Sequence, residues 1–210
     1  MTENGAQAAV DPQGMARGLR RLALDGGFAV FGIATPSELQ GVPEHADPAN
    51  LLEGYRAVII LGAPPPGYVS LGPKSPVMLE SEPSETLSRI RERLVRAEFR
   101  VTPAGGAALS LPRVAVAAGI GALAPNGMVV VNRWGLSLQL FALITDAPLP
   151  ATPLPGQSRD QAICRACRVC LEDCPAAPEG SEGDFDRSWC TGCDTCLTAC
   201  PLDASTQRGR

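Results

Sequence analysis

The apolar positions fall into blocks with two kinds of spacing. From Met15 the stretch RGLRRLALDGGF predicts a basic, amphipathic helix stopped by Gly26-Gly27. FAVFGIAT (28–35) and AVIILGA (57–63) are short apolar runs rich in β-branched residues and predict buried strands. Pro64-Pro65-Pro66-Gly67 stops the second run. Between them, residues 36–54 read as loop with a short helix near Ala49-Asn50-Leu51-Leu52. The segment 68–83 is irregular. SETLSRIRERLVRAEF (84–99) gives the clearest helix, with Ser84 as candidate N-cap and Leu87, Ile90, Leu94 and Val95 at helical spacing. Its arginines are most simply a solvated face. VAVAAGIGA (114–122) predicts a small-residue helix. MVVVN and LSLQLFALITD (136–146) predict two strands that pair around Arg133-Trp134-Gly135. Strands interleaved with helices indicate an α/β layer, of α/β (α+β) class.

A proline-rich stretch, DAPLPATPLPGQ (146–157), then changes the picture. Four prolines predict an extended linker that ends the first domain. The expected organisation is a flexible terminus over 1–14, an α/β domain over 15–150, a linker over 151–159 and a small module over 160–210. The chain of 210 residues accommodates that division. Hydrophobic residues make up 45% of it, so a sizeable core is possible and wholesale disorder is excluded. The net charge is −4, with no basic excess to neutralise phosphates, so nucleic-acid binding is disfavoured. The negative charge sits on the last module, where residues 160–210 hold five Arg against nine Asp and Glu.

One histidine, His45, rules out histidine-rich zinc sites and disfavours histidine triads. It lies in a loop, PEHADP, where a surface position is the simpler reading. The longest uncharged stretch, 114–132, holds Pro125, Asn126 and several glycines and makes a poor membrane span. The N-terminus lacks a charged-then-apolar leader pattern, so a cytoplasmic location is expected. The glycine pairs at 26–27 and 105–106 make no G-x-G-x-x-G fingerprint after a strand, so a Rossmann nucleotide site is not supported.

All eight cysteines lie between Cys164 and Cys200. They read Cys164-x2-Cys167-x2-Cys170-x3-Cys174-Pro175 and Cys190-x2-Cys193-x2-Cys196-x3-Cys200-Pro201. This is the ligand spacing of bacterial two-cluster ferredoxins, present twice. Three thiolates in a seven-residue loop wrap three irons of a cube. The fourth starts the next helical turn, points away and serves the other cluster. One 4Fe–4S cluster is therefore assigned to Cys164, Cys167, Cys170 and Cys200, and the second to Cys190, Cys193, Cys196 and Cys174. Zinc is the alternative, but paired C-x2-C knuckles leave the third cysteine and the cysteine before proline unexplained. Disulfides fit the regular spacing less well. Arg165, Arg168, Thr191 and Thr195 sit between ligands and can tune the potential, or are simply loop residues. Such clusters imply one-electron chemistry and an external low-potential donor, a ferredoxin, flavodoxin or reductase.

The order of pieces resembles the superfamily of epoxyqueuosine reductases and corrinoid-dependent reductive dehalogenases. LRRLALDGGFAVFGIAT resembles that group's opening helix and strand, and YRAVIILGAPPP its next strand. AAGIGALAPNGMVVVNRWG resembles its A-G-L-G-x-x-G-K-N segment, and LSLQLFALITDAPL the strand before the cysteines. The resemblance implies a nitroreductase-like α/β domain over 15–150 that binds a cobalamin, with Gly119, Gly121, Asn126, Gly127 and Met128 against the corrinoid. The bland reading of the same residues is a helix-to-strand turn with Asn126-Gly127 as its bend.

Pro125 replaces the group's lysine. Polar residues able to act as a general acid are few over 101–146, chiefly Arg113, Asn126, Asn132, Arg133 and Asp146, and Tyr55 and Tyr68 are the only phenols, so no catalytic residue is assigned. The expected function is an iron–sulfur oxidoreductase passing single electrons to a bound cobalamin, for reduction of a small substrate or for corrinoid processing. The alternatives are a non-catalytic electron carrier whose N-terminal domain docks a partner enzyme, and an adaptor whose clusters only brace the C-terminus.

Overall fold

The computed structural model of the chain describes residues 11–41, 46–64, 70–72, 75–77, 83–105, 109–132, 134–154, 159–177 and 190–202. Helix α1 spans Pro12–Asp25. Asp11 caps it by accepting from the Gln13 N–H, and Gly26 ends it. Strand β1 (Val30–Ala34) follows, then a 3-10 turn at Pro48–Asn50 and strand β2 (Ala57–Ala63). A two-stranded ribbon, β3 (Ser70–Gly72) with β4 (Ser75–Val77), leads to helix α2 (Pro83–Arg96). This helix begins one residue ahead of Ser84, with proline in its first turn, so Ser84 lies inside the helix rather than capping it.

Strand β5 (Val101–Ala104), helix α3 (Leu111–Ala117), strands β6 (Ala122–Leu123) and β7 (Val129–Val130) and strand β8 (Gln139–Thr145) complete the first part. Three short helices, α4 (Arg159–Cys167), α5 (Val169–Glu172) and α6 (Thr195–Ala199), carry the cysteines.

The main sheet runs in the order β1-β2-β8-β5 and every neighbouring pair is antiparallel. The mixed helix-and-sheet class is as expected, in its α+β form. Two expectations need correction. Strand β7 pairs with β6 rather than β8, so the hairpin expected at 133–135 reduces to one bridge, Val131 to Gly135. The helix expected over 114–122 starts earlier and stops at Ala117, because the turn through Gly119 (φ 77°) and Gly121 (φ 64°) needs left-handed backbone.

Both faces of β2 are covered, which explains its unbroken apolar run in an antiparallel sheet. Ala57, Ile59 and Leu61 pack under α1 and α2 with Leu19, Ile90 and Leu94. Val58 and Ile60 point the other way, toward Val114, Ala118 and Val131. Helix α3 comes close to the sheet because Gly32 in β1 has no side chain: a Cβ there would lie 2.4 Å from the Ala118 carbonyl oxygen. The proline-rich stretch is anchored at its start. Ala147 and Leu149 are buried. The Thr152 N–H donates to the Ile33 carbonyl (2.8 Å) and Thr152 Oγ1 accepts from the Ile33 N–H (2.9 Å), covering the free edge of β1.

Candidate iron–sulfur centre and adjoining groove

The two cysteine motifs adopt matching backbones. Arg168 (φ 54°) and Asp194 (φ 59°) each follow the second cysteine of their motif, and both are left-handed. Each turns the chain into a short helix, α5 with Cys170 and α6 with Cys196. The carbonyls of Arg168 and Asp194 accept from Leu171 (2.8 Å) and Leu197 (3.0 Å), so the same turn is built twice. Non-glycine residues adopt this backbone at a cost of about 1–2 kcal/mol, which marks the turns as constrained.

Cys164, Cys167 and Cys170 line one small cavity together with Cys200, the last cysteine of the other motif. The cavity is small and partly open to solvent, and its remaining wall includes Ala124 and Leu136. Cys174 and Cys190 lie close enough to Cys196 to act on its charge. The start of the second motif is the more exposed part: Cys190 and Cys193 are at the surface, whereas Cys170 of the first motif and Cys200, at the end of the second, are buried. Among the described residues, no three Cys, His, Asp or Glu side chains converge tightly enough to hold a single metal ion.

Burial pushes the Cys164 and Cys170 thiols up to about 11, reinforced by neighbouring cysteines. For Cys164 these are Cys170, Cys200 and Cys167. The backbone N–H of Asn126 opposes the rise at Cys170. Burial also raises Cys196, opposed by the Asn126 side chain. Cys193 goes the other way, because the Thr195 hydroxyl (3.3 Å) and N–H favour its thiolate. The raised values keep Cys164 and Cys170 protonated and neutral near pH 7; a bound cation would favour their thiolates and release those protons.

The first part of the chain supplies the wall of this centre. Ala124, Val130 and Leu136 pack in one cluster with Cys170, Leu171, Cys200 and Leu202. The strands β6 and β7 are joined by a turn closed by the Gly127 N–H donating to the Ala124 carbonyl (2.9 Å). Pro125 occupies its second position and Asn126, with negative φ, its third, as in a type I turn. Gly127 (φ 74°) continues the turn.

Leu136 also borders a larger, open groove lined by Leu111, Met128, Leu138 and Leu140. Among the described residues on that lining, Ser110 is the one with a polar side chain. The five residues expected at a corrinoid separate accordingly. Met128 lines this groove. Asn126 is 4% exposed and turns toward the cysteines. Gly121 serves packing, since a Cβ would lie 2.2 Å from the Val130 carbonyl oxygen. Gly119 and Gly127 form the turns at either end of the β6 segment.

The polar candidates do not gather. Asp146 pairs with Arg100 (2.6 Å) at the far edge of the sheet. Tyr55 packs on the core around Val58 and Ile60. Burial raises its phenol, and the nearby Asp47 adds to the rise. Arg113 borders a separate cavity with Glu38 and Gln40, and Asn132 is exposed. His45, Tyr68 and Arg133 lie outside the described residues. Sequence reasoning missed the seam between Leu136 and the cysteines; the one signal for it was the apolar run 136–144 placed just ahead of them.

The sequence pattern of the 4Fe–4S binding domain matches residues 184–206, across the second cysteine motif. Epoxyqueuosine reductase from Bacillus subtilis superposes with a TM-score of 0.68 over 92% of this chain and 66% of its own, at 21% identity. A reductive dehalogenase described as B12-dependent gives 0.56 over 84% of this chain and 26% of its own, at 16% identity. The chain is built on the fold shared by epoxyqueuosine reductases and reductive dehalogenases.

The tetrachloroethene reductive dehalogenase of Dehalobacter restrictus is 30% identical over 105 residues, which is 50% of this chain and 19% of that protein. An epoxyqueuosine reductase has also been solved with a tRNA stem loop, at 20% identity. This chain thus spans about two thirds of the epoxyqueuosine reductases and about a fifth of the curated dehalogenase. Within the shared fold its departure at Pro125 falls in the β6–β7 turn, where proline suits the second position. No helix among the described residues is long and apolar enough to cross a membrane.

Proposed function

We propose that the chain is an iron–sulfur electron-transfer reductase with a two-cluster module over 160–210 joined by a linker over 151–159 to an α/β domain over 15–150. One 4Fe–4S cluster is held by Cys164, Cys167, Cys170 and Cys200, and the other by Cys190, Cys193, Cys196 and Cys174. The observation that carries this reading is the cavity where three cysteines of one motif meet the last cysteine of the other. A zinc knuckle has no use for that exchange. The exposed second motif is the entry point for an electron from an external low-potential donor, and the buried first motif hands it on toward the groove beside Leu136.

The groove is the place for a cobalamin. Its apolar wall of Leu111, Met128, Leu138 and Leu140 suits the edge of a flat macrocycle. When bound, a cobalamin supplies a strongly reducing cobalt; the chain's residues orient it and keep water from the side shared with the cluster. The net charge of −4 argues for a small substrate or a corrinoid rather than a tRNA.

The second reading is an electron carrier whose groove docks a partner enzyme; the scarcity of polar side chains in the groove favours it. Anaerobic protein analysed for iron, sulfide and electron paramagnetic resonance should hold two cubane clusters, roughly eight irons per chain. Colourless protein holding zinc would overturn the reading. Gel filtration after mixing with cobalamin separates the two versions: corrin absorbance retained with the protein supports the reductase, and its loss with iron intact supports the carrier.

A further inference from the structure

The turn at Ala124–Gly127 does more than reverse the chain. Its closing bonds use the N–H groups of Gly127 and Ala124, and the Asn126 Oδ1 accepts from the Met128 N–H (3.1 Å). The Asn126 N–H is left over by the turn and favours the Cys170 thiolate, and its neighbours Ala124 and Met128 pack in one cluster with Cys170 and Cys196. Asn126 Nδ2 is buried with no hydrogen-bond partner among the described residues, and the side chain lies near enough to Cys196 to favour its thiolate. A primary amide buried to this degree, at 4% exposure, is expected to have an acceptor. Cys170 belongs to one cysteine set and Cys196 to the other, so a single residue of the first domain addresses both.

We propose that Asn126 is a positioning residue for the electron relay, donating through its backbone N–H to the cluster that Cys170 holds and through Nδ2 to the cluster that Cys196 holds. The inference rests on the two-cluster reading above. Donors aimed at cluster sulfur stabilise the reduced, more negative state and raise the potential. The side chain can be removed while the backbone donor stays, so the two clusters should respond separately. Pro125 and the Asx-type bond from Met128 fix the residue in place for both tasks.

The test is an anaerobic potentiometric titration of the full chain, loaded with iron and sulfide, reduced by dithionite and followed by electron paramagnetic resonance. Asn126→Ala removes Nδ2. Asn126→Ser also removes that donor and adds no charge, while its hydroxyl oxygen can still accept from the Met128 N–H, which guards against a simple loss of the turn. In each variant one of the two one-electron waves should move to lower potential while the other stays. At fixed potential the reduced-to-oxidised ratio of the moving cluster should fall about tenfold, or 59 mV for a one-electron couple. Rescue of the wave by Asn126→Gln would add support.

Unchanged waves at full iron content, or both waves moving together, overturn the inference. So does loss of iron in both variants, which would make the residue merely structural. Wild-type protein lacking two clusters sinks the underlying reading instead, and the iron analysis identifies that case before any variant is compared.

Discussion

Cys200 is half of the reason that the two motifs cannot be read independently. It sits at the end of the second motif but lines the cavity of the first. On the two-cluster reading proposed above, Cys200→Ser should cost the chain about one cluster and spare the exposed one, measured as iron and sulfide per chain. Without iron, the same nest has a pH signature. The Cys164 and Cys170 thiols ordinarily ionise near 9.0 and are held to about 11 here by burial and by their neighbours. Their contribution to stability is complete below pH 9, because the folded and unfolded chains are then equally protonated. It is lost as pH rises from 9 through 11, where the unfolded chain releases its protons first. Thermal melts of metal-free protein should therefore fall across that window, and melts of iron-loaded protein should not, since its thiolates have already given up their protons.

The decisive element is β2. Its seven residues are all buried, alternately under α1 and α2 and under α3. Ile60→Ala should lower unfolding free energy by about 2–5 kcal/mol in a denaturant titration, through lost burial and a residual cavity. The edge strand β1 depends on a residue beyond the last strand. Thr152→Val keeps the shape but strips the acceptor from the Ile33 N–H, for an expected loss of about 1–3 kcal/mol. Elements were legible where the code is local. AVIILGA is a strand with the bounds read from its apolar run. The N-cap at Asp11 and the glycine stop at Gly26 frame α1 close to where the pattern placed it. Strand β5 was not visible, since VTPA carries an exposed proline and no fully buried position. It exists because β8 offers it an edge.

At the scale of the molecule, the cysteine module is packed onto the first part of the chain. Leu136 is 3% exposed and stands between the cysteine cavity and the groove. Leu136→Asp would bury a charge at that seam. It should increase the rate of iron loss in air and weaken any retained corrin absorbance, while Leu136→Met, similar in volume, should leave both near wild type. If both substitutions behave alike, the seam has no role in electron delivery.

The ligand spacing, the alternation of strands and helices and the absence of a basic excess were all written in the order of residues, because each depends on neighbours a few positions apart. The spacing also supplies the proposed sharing of cysteines between the two sets, since the turn after each third ligand aims the fourth away. The role of Asn126 was not. In sequence it stands in a bend of a glycine-rich segment, 38 positions ahead of the first cysteine, Cys164. Only the folded chain, by laying the β6–β7 turn across both motifs, turns that amide toward the sulfurs and away from the groove. Such a contact joins residues far apart along the backbone, and neither periodicity nor spacing encodes it; packing does.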